Sequence, residues 1–175
     1  MSEDQCLSCR KRPGVYACVS CEDPVCKPCS ETVNDPFFVS LEAVPAAQVA
    51  GRFCGRCWDA EMAPKLEAYR ETLETAKQVF IFFTTQKKAI PLIRKSKVPV
   101  KVDACADRDE TILRLAYDAA KDGYNAVVDV EVNAKKVNDG GSNKSAVWKG
   151  TGVPALVDEA KLDRQARAEQ AYERG

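Results

Sequence analysis

Apolar and polar residues recur at two different periods in the second half of the chain, and each period predicts a different element. The stretch from Gln78 to Thr84 contains VFIFF, an aromatic and β-branched run that predicts a strand. A further strand is expected near Val98 to Val102, after a short irregular segment. Pro91 and Pro99 restrict the irregular segment and this second strand to edges or ends of a sheet.

The sequence NAVVDVEVNAKKV carries the clearest strand pattern of the chain. Val128, Val130 and Val132 are expected on one side of the sheet. Asp129 and Glu131 are expected on the other side. NDGGSNKS is typical of a turn, and SAVWKGTGV predicts the returning strand of a long hairpin.

A helical period marks three further segments. One helix is predicted from Asp107 to Asp122, with Gly123 as a natural stop, and its acidic start ADRDE is interpreted as a cap and not as a catalytic cluster. A second helix is expected over residues 61–77, and a charged, alanine-rich third over 158–175. The apolar face of the first contains Ile112, Leu115, Ala116, Ala119 and Ala120, and that of the second contains Met62, Leu66, Tyr69, Leu73 and Ala76. The order of strands and helix after residue 78 predicts an α+β sandwich with helices on one face of a mostly antiparallel sheet.

Composition narrows the chemistry. The 175 residues include 26 basic and 26 acidic side chains, nine cysteines and no histidine. Zero net charge argues against nucleic acid as a partner. Without histidine, Ser-His and Cys-His nucleophile pairs are excluded. Zinc then has to be held by sulfur or, less readily, by carboxylates. The polar start MSEDQCLSCR and the lack of an apolar run of about 20 residues predict a cytoplasmic protein.

Eight of the nine cysteines form four C-x2-C pairs, separated by 8, 4 and 24 residues. Two such pairs complete a tetrahedral thiolate site, so the four pairs predict two structural zinc ions, which supply folding free energy to a segment with little core. A disulfide framework or a set of redox motifs is less consistent with adjacent pairs in a cytoplasmic chain. The predicted ligands are Cys6, Cys9, Cys18, Cys21, Cys26, Cys29, Cys54 and Cys57.

The spacing alone leaves two ways of grouping the pairs. Sequential pairing joins the first pair to the second and the third to the fourth. Interleaved pairing joins the first to the third and the second to the fourth. The interleaved arrangement is favoured, because the four residues between Cys21 and Cys26 suit a tight hairpin whose ends reach different metals.

The stretches CLSC, CVSCEDPVCKPCS and GRFCGRC resemble the FYVE zinc finger family over about residues 6 to 60. The resemblance implies a two-zinc treble-clef fold with interleaved sites. RING fingers share the interleaving but usually place a histidine in the second pair. FYVE domains that bind phosphatidylinositol 3-phosphate carry W-x-x-D before the first cysteine and a basic, histidine-containing segment at the second pair. Here MSEDQ and GVYACVS occupy those places, and Arg52 is what remains of the lipid-contacting elements.

The net charge of the finger also argues against phosphoinositide binding. Residues 1–60 contain six basic and eight acidic side chains, and eight thiolates with two Zn²⁺ bring the folded finger to about −6. A module of that charge repels phosphate groups, so phosphoinositide binding is kept only as an alternative.

The segments AYDAAKDGYNAVVDVEV and VWKGTGVPA resemble the YbjQ family over about residues 78 to 157. That resemblance implies a small α+β fold, a ring-like homo-oligomer and a link to heavy-metal binding. Cys105 is the region's one cysteine and is interpreted as a packed apolar residue, not as a metal ligand.

Together these patterns predict a non-enzymatic interaction or adaptor protein with an unidentified protein partner. The predicted organisation is a FYVE-like finger (1–60), a connecting helix (61–77), a YbjQ-like α+β domain (78–157) and a charged C-terminal helix (158–175). Phosphoinositide-dependent membrane targeting and heavy-metal sensing through the C-terminal domain are the alternatives.

Overall fold

The computed structural model describes residues 5–138 and 144–173, so the centre of the predicted hairpin turn lies outside the described residues. The chain divides into two compact units, one up to Glu71 and one from Thr72 onward. Helices and strands both contribute to the fold, which confirms the α+β class. The finer domain limits drawn from the sequence stay predictions.

The first unit is built from short elements around a small core. The unit contains two antiparallel strand pairs, β1–β2 and β3–β4. Asp35 caps the first helix by accepting from the backbone N–H groups of Phe37 and Phe38 at 3.0 Å. Phe38 is fully buried and meets the ring of Tyr69 edge-on, with centroids 5.2 Å apart. The elements are β1 (Tyr16–Ala17), β2 (Pro24–Val25), a 3-10 turn (Lys27–Cys29), β3 (Ser30–Glu31), α1 (Pro36–Leu41), α2 (Ala46–Ala50) and β4 (Phe53–Cys54).

The fourth cysteine pair opens a continuous helical segment. It consists of α3 (Gly55–Cys57), a wide π-turn (Trp58–Met62) and α4 (Ala63–Ala76). The π-turn ends two residues before Pro64, whose ring clashes with a normally placed carbonyl four residues earlier. The regular helix thus begins at Ala63.

The apolar stripe predicted for this helix is confirmed by its burial. Met62, Tyr69 and Ala76 are buried, and Leu66 and Leu73 are partly buried. The spacing of four and three residues between these positions keeps them on one face.

The second unit contains a five-stranded mixed sheet. Its order is β5, β8, β9 and then β6, with β7 also paired to β9. The β5 strand runs parallel to β8, and the remaining pairings among the described strands are antiparallel. The elements are β5 (Phe80–Phe83), β6 (Leu92–Lys95), β7 (Val100–Cys105), α5 (Arg108–Lys121), β8 (Ala126–Asn138), β9 (Lys144–Val157) and α6 (Glu159–Glu173).

Three details of the sequence-based prediction were wrong, and the first two concern β6 and the placement of the helices. The segment after Pro91, expected to be irregular, forms β6 because it finds the free edge of β9. The helices were expected on one face, but they contact both. Leu162 of α6 packs on the cluster that contains Val128, whereas α5 lies against Gly150 on the opposite face.

A β-bulge at Asp129 explains why two faces of the sheet are apolar. Asp129 has a φ of 53° and is exposed, and the register with β9 shifts at this point. Val128 belongs to one apolar cluster, while Val127 and Val130 both lie beside Gly152 on the other face. The expected strict alternation is therefore wrong: Val128 and Val130 do not share a side.

Candidate metal centres

The four cysteine pairs converge on two points. Each point collects four sulfur atoms that all lie within 4.8 Å of one another. One cluster contains Cys6, Cys9, Cys26 and Cys29, and the other contains Cys18, Cys21, Cys54 and Cys57. This is the interleaved grouping that the sequence favoured.

The sulfur separations suit a tetrahedral ion. The Sγ atoms of Cys9 and Cys26 are 3.8 Å apart, as are those of Cys21 and Cys54. A regular tetrahedron with Zn–S bonds of about 2.3 Å has an S···S edge of about 3.8 Å. A covalent disulfide needs about 2.05 Å. All nine cysteines are free, so the clusters have the spacing of ligands and not of bridges.

The first two pairs sit on matching loops. The N–H of Arg10 donates to the carbonyl of Cys6 at 2.8 Å, and the N–H of Glu22 donates to the carbonyl of Cys18 at 2.9 Å. Both Arg10 and Glu22 have left-handed backbone, with φ of 52° and 63°. This turn reverses the chain directly after the pair and leaves both sulfurs on its inner side.

The other two pairs sit at the starts of helical turns. Cys26 precedes the 3-10 turn that contains Cys29, and the N–H of Cys29 donates to the carbonyl of Cys26 at 3.0 Å. Cys54 precedes α3, whose last residue is Cys57. Each cluster therefore takes one pair from a reversing loop and one from a helical turn.

Backbone N–H groups favour an ionised sulfur in each cluster. Burial raises the pKa of Cys6, but hydrogen bonds from the backbone N–H groups of Cys26, Cys9 and Ser8 outweigh burial and bring the pKa to about 6. Burial likewise raises the pKa of Cys18, and the N–H groups of Cys21, Cys54 and Ser20 lower it to about 6. The N–H of Cys54 lies 3.3 Å from the Cys18 sulfur.

The last thiol of each cluster resists ionisation. Hydrogen bonds with the sulfurs of Cys26 and Cys9, together with their charge, raise the pKa of Cys29 to about 12. Burial first, and then hydrogen bonds to Cys21 and Cys54, raise the pKa of Cys57. Four thiolates repel one another, and a dication held by all four removes that repulsion. The donor set therefore fits a soft divalent ion such as Zn²⁺.

The second cluster has charged neighbours that the sequence reasoning missed. The Asp23 Oδ2 atom lies 3.2 Å from the Cys21 sulfur and 3.2 Å from the Arg56 Nη2 atom. The Cys21 sulfur raises the pKa of Arg56. The signal was present, since Asp23 follows Cys21 by two residues and Arg56 lies between Cys54 and Cys57. Such neighbours orient metal ligands and tune their charge.

Arg52 is held inside the first unit. Its Nη1 atom donates to the Ser30 hydroxyl at 2.9 Å, and its guanidinium carbon lies 4.3 Å from the centre of the Tyr16 ring. Its carbonyl accepts from the N–H of Val19. These contacts tie the loop before the fourth cysteine pair to the loop before the second pair.

The remaining sequence candidates have structural places. Cys105 is buried, with 1% of its surface exposed, and belongs to the second unit. The acidic start of α5 is a cap: Asp107 accepts from the N–H of Glu110 at 2.7 Å, and Glu110 accepts from the N–H of Ala106 at 2.6 Å. Within residues 5–138 and 144–173, the two tetra-cysteine clusters are the groups of Cys, Asp and Glu that converge closely enough for a metal.

Among the described residues, no helix is both long enough and apolar enough to cross a bilayer.

No family model, no curated protein and no solved structure matches this chain. Any proposed function therefore has to rest on the geometry of the two cysteine clusters, because no related protein supports one.

Proposed function

We propose that this chain is a non-enzymatic interaction protein whose first unit is a two-zinc, FYVE-like treble-clef finger. The observation that supports the proposal is the pair of interleaved tetra-cysteine clusters. A site with four thiolate ligands leaves no coordination position for a substrate, so its metal acts on the fold. Protein surfaces then carry the function.

The cysteines also bear on the compartment. Nine free thiols persist where glutathione and thioredoxin keep them reduced, which supports a cytoplasmic location.

The second unit, with its helix α5 and the β8–β9 hairpin, is proposed to be a YbjQ-like domain. Among the described residues of this unit, Cys105 is buried and the acidic cluster caps α5, so neither is proposed as a catalytic group or a metal ligand.

Phosphoinositide targeting depends on Arg52. In this chain the guanidinium already donates to Ser30 and stacks on Tyr16, which supports a role in packing. Equal recruitment by liposomes with and without phosphatidylinositol 3-phosphate would remove this alternative. The heavy-metal alternative ends if the chain lacking residues 1–58 retains no metal affinity.

Native mass spectrometry of the intact chain tests the central proposal. Two zinc ions per chain are expected, and the same spectrum gives the oligomeric state. Fewer than two, with the mass loss of disulfides, would overturn the metal assignment. Affinity capture with the zinc-loaded chain then tests the interaction role. If capture yields no protein beyond what the Cys54→Ser variant retains, the chain is not a zinc-dependent adaptor.

A further inference from the structure

One end of the first unit combines exposed apolar side chains with a run of basic ones. We call it the cationic tip and define it by Leu7, Arg10, Lys11, Arg12, Val15 and Tyr16. The exposed fractions are 51% for Leu7, 62% for Val15 and 38% for Tyr16, although all three side chains are large and apolar. Such a group is a recognised mark of an interaction site.

The apolar members of the tip are neighbours in space. The N–H of Leu7 donates to the carbonyl of Pro24 at 2.9 Å, and Tyr16 pairs with Val25 on the same strand β2. Leu7 and β1 therefore lie beside consecutive residues of one strand. Val15 directly precedes Tyr16 in the chain.

The basic members belong to the same small layer. The N–H of Cys6 donates to the carbonyl of Arg12 at 2.9 Å, and Gln5 bridges to Pro13. This places the Arg10–Arg12 turn next to Leu7. Arg10, Lys11 and Arg12 are exposed, and none of them forms an ion pair with another residue that the structure describes.

Charge separates the tip from the rest of the unit. No acidic residue occurs from Gln5 to Cys21, and Arg52 adds a fourth cation above the Tyr16 ring. The whole finger with its zinc ions carries about −6. The tip is thus a positive, partly apolar spot on a negative module, and electrostatic complementarity selects an anionic partner for it.

We infer that the cationic tip binds an acidic protein segment that also presents aliphatic or aromatic side chains. This inference rests on the proposed interaction function and names the partner's chemistry. A short peptide touches only the tip, whereas a bilayer or a nucleic acid duplex presents an extended anionic surface to the negative remainder of the unit. Arg52 also lies over the Tyr16 ring, so the same partner meets a cation together with the exposed side chains of Tyr16 and Val15.

The test uses the full, zinc-loaded chain and two fluorescein-labelled peptides. One peptide intersperses Glu with Leu and Phe, and the other replaces every Glu by Lys. Saturable anisotropy with the acidic peptide is expected, with none for the basic peptide. Affinity should fall as salt rises, since the contact is between exposed charges.

Two variants locate the contact, and each has a matched control. Lys11→Glu and Val15→Ser should each weaken binding of the acidic peptide roughly ten-fold. Lys65→Glu, an exposed lysine of the same unit, and Val98→Ser, an exposed valine of the other unit, should leave it unchanged. Native zinc counts show that the first unit keeps its fold in each variant, and amide dispersion in NMR spectra shows the same for the second unit of Val98→Ser.

Three outcomes overturn the inference. The first is equal binding of both peptides or no saturable binding of the acidic one. The second is unchanged affinity in Lys11→Glu. The third is recruitment by phosphatidylserine vesicles, lost in Lys11→Glu, without peptide binding. In each case two zinc ions and partner capture by the wild-type chain would still support the interaction function, so the two proposals fail separately.

Discussion

The backbone N–H of Cys54 donates to the sulfur of Cys18 across 3.3 Å, although 36 residues separate them in the chain. This bond joins the second cysteine pair to the fourth inside one cluster. It also links the loop after β1 to the start of the helical segment. The second tetra-cysteine cluster is therefore the point at which the first unit closes on itself.

Loss of one cysteine from the second cluster should unfold the first unit. Cys21→Ser or Cys54→Ser is expected to remove zinc and unfold the first unit, because structural zinc supplies about 10–16 kcal/mol of coupled binding free energy in zinc-finger peptides. The second unit should stay folded, since its core contains no ligand of either cluster. Native mass spectrometry gives the zinc count, and amide dispersion in NMR spectra shows which unit remains. Cys105→Ala is the control and should keep both metals; collapse of the second unit's signals in Cys54→Ser would contradict independent folding.

Two glycines of the first unit should respond in opposite ways to the same substitution. A Cβ at Gly51 would lie 2.7 Å from the carbonyl oxygen of Ala47 and 2.8 Å from the Val19 Cβ, so Gly51→Ala should cost about 1–3 kcal/mol. A Cβ at Gly55 meets no atom within 4 Å, and Gly55→Ala should be neutral or stabilising by up to about 1 kcal/mol. Urea unfolding in excess zinc measures both changes in the free energy of unfolding. The signal is the fluorescence of Trp58 in a Trp148→Phe background. Equal stabilities would mean that the chain near Gly51 is not packed this tightly.

The start of α5 should behave as a cap. Asp107→Ala removes the acceptor for the N–H of Glu110 and should cost about 1 kcal/mol, whereas Asp107→Asn keeps an acceptor and should cost little. The free energy of unfolding of the second unit in urea distinguishes the two variants. If both are equally destabilised, the carboxylate charge of Asp107 matters and the capping interpretation is wrong.

The bulge at Asp129 leads to a prediction with three substitutions. Asp129→Val places a β-branched residue at a φ of 53° and should destabilise the second unit by about 1–2 kcal/mol. Asp129→Gly should be at least as stable as Asp129→Asn, because glycine adopts this conformation freely. Both lose the exposed ion pair with Lys95, which contributes less than about 1 kcal/mol. Thermal unfolding monitored by circular dichroism ranks them, and a valine variant as stable as the glycine one would rule out the bulge.

Elements that depend on short-range patterns were predicted well from the sequence. The helix at 108–121 and its acidic cap follow from period and from end residues that act within one turn. The long hairpin follows from two β-rich runs flanking a turn. The apolar stripe of α4 depends only on spacing, and it too is found buried.

Pairings between strands that are distant in the sequence were predicted less well. The parallel pairing of β5 with β8 joins Phe80 to Ala126, and no local signal distinguishes it from an antiparallel neighbour. β6 becomes a strand only because β9 offers it an edge. The switch of faces at Asp129 needs both apolar layers, one formed by α5 and the other containing Leu162, to be present at once.

The sequence by itself determined that the candidate ligands are thiols and that their pairs suffice for two clusters, because thiol chemistry and the C-x2-C turn are local properties of the chain. Only the tertiary structure decided which pairs meet, since that depends on how the loops after Cys6 and Cys18 fold against the segments carrying Cys26 and Cys54. It also decided that Leu7 and Tyr16 both lie beside β2. Contacts between distant residues depend on the packing of the whole unit, and a linear pattern does not contain that information.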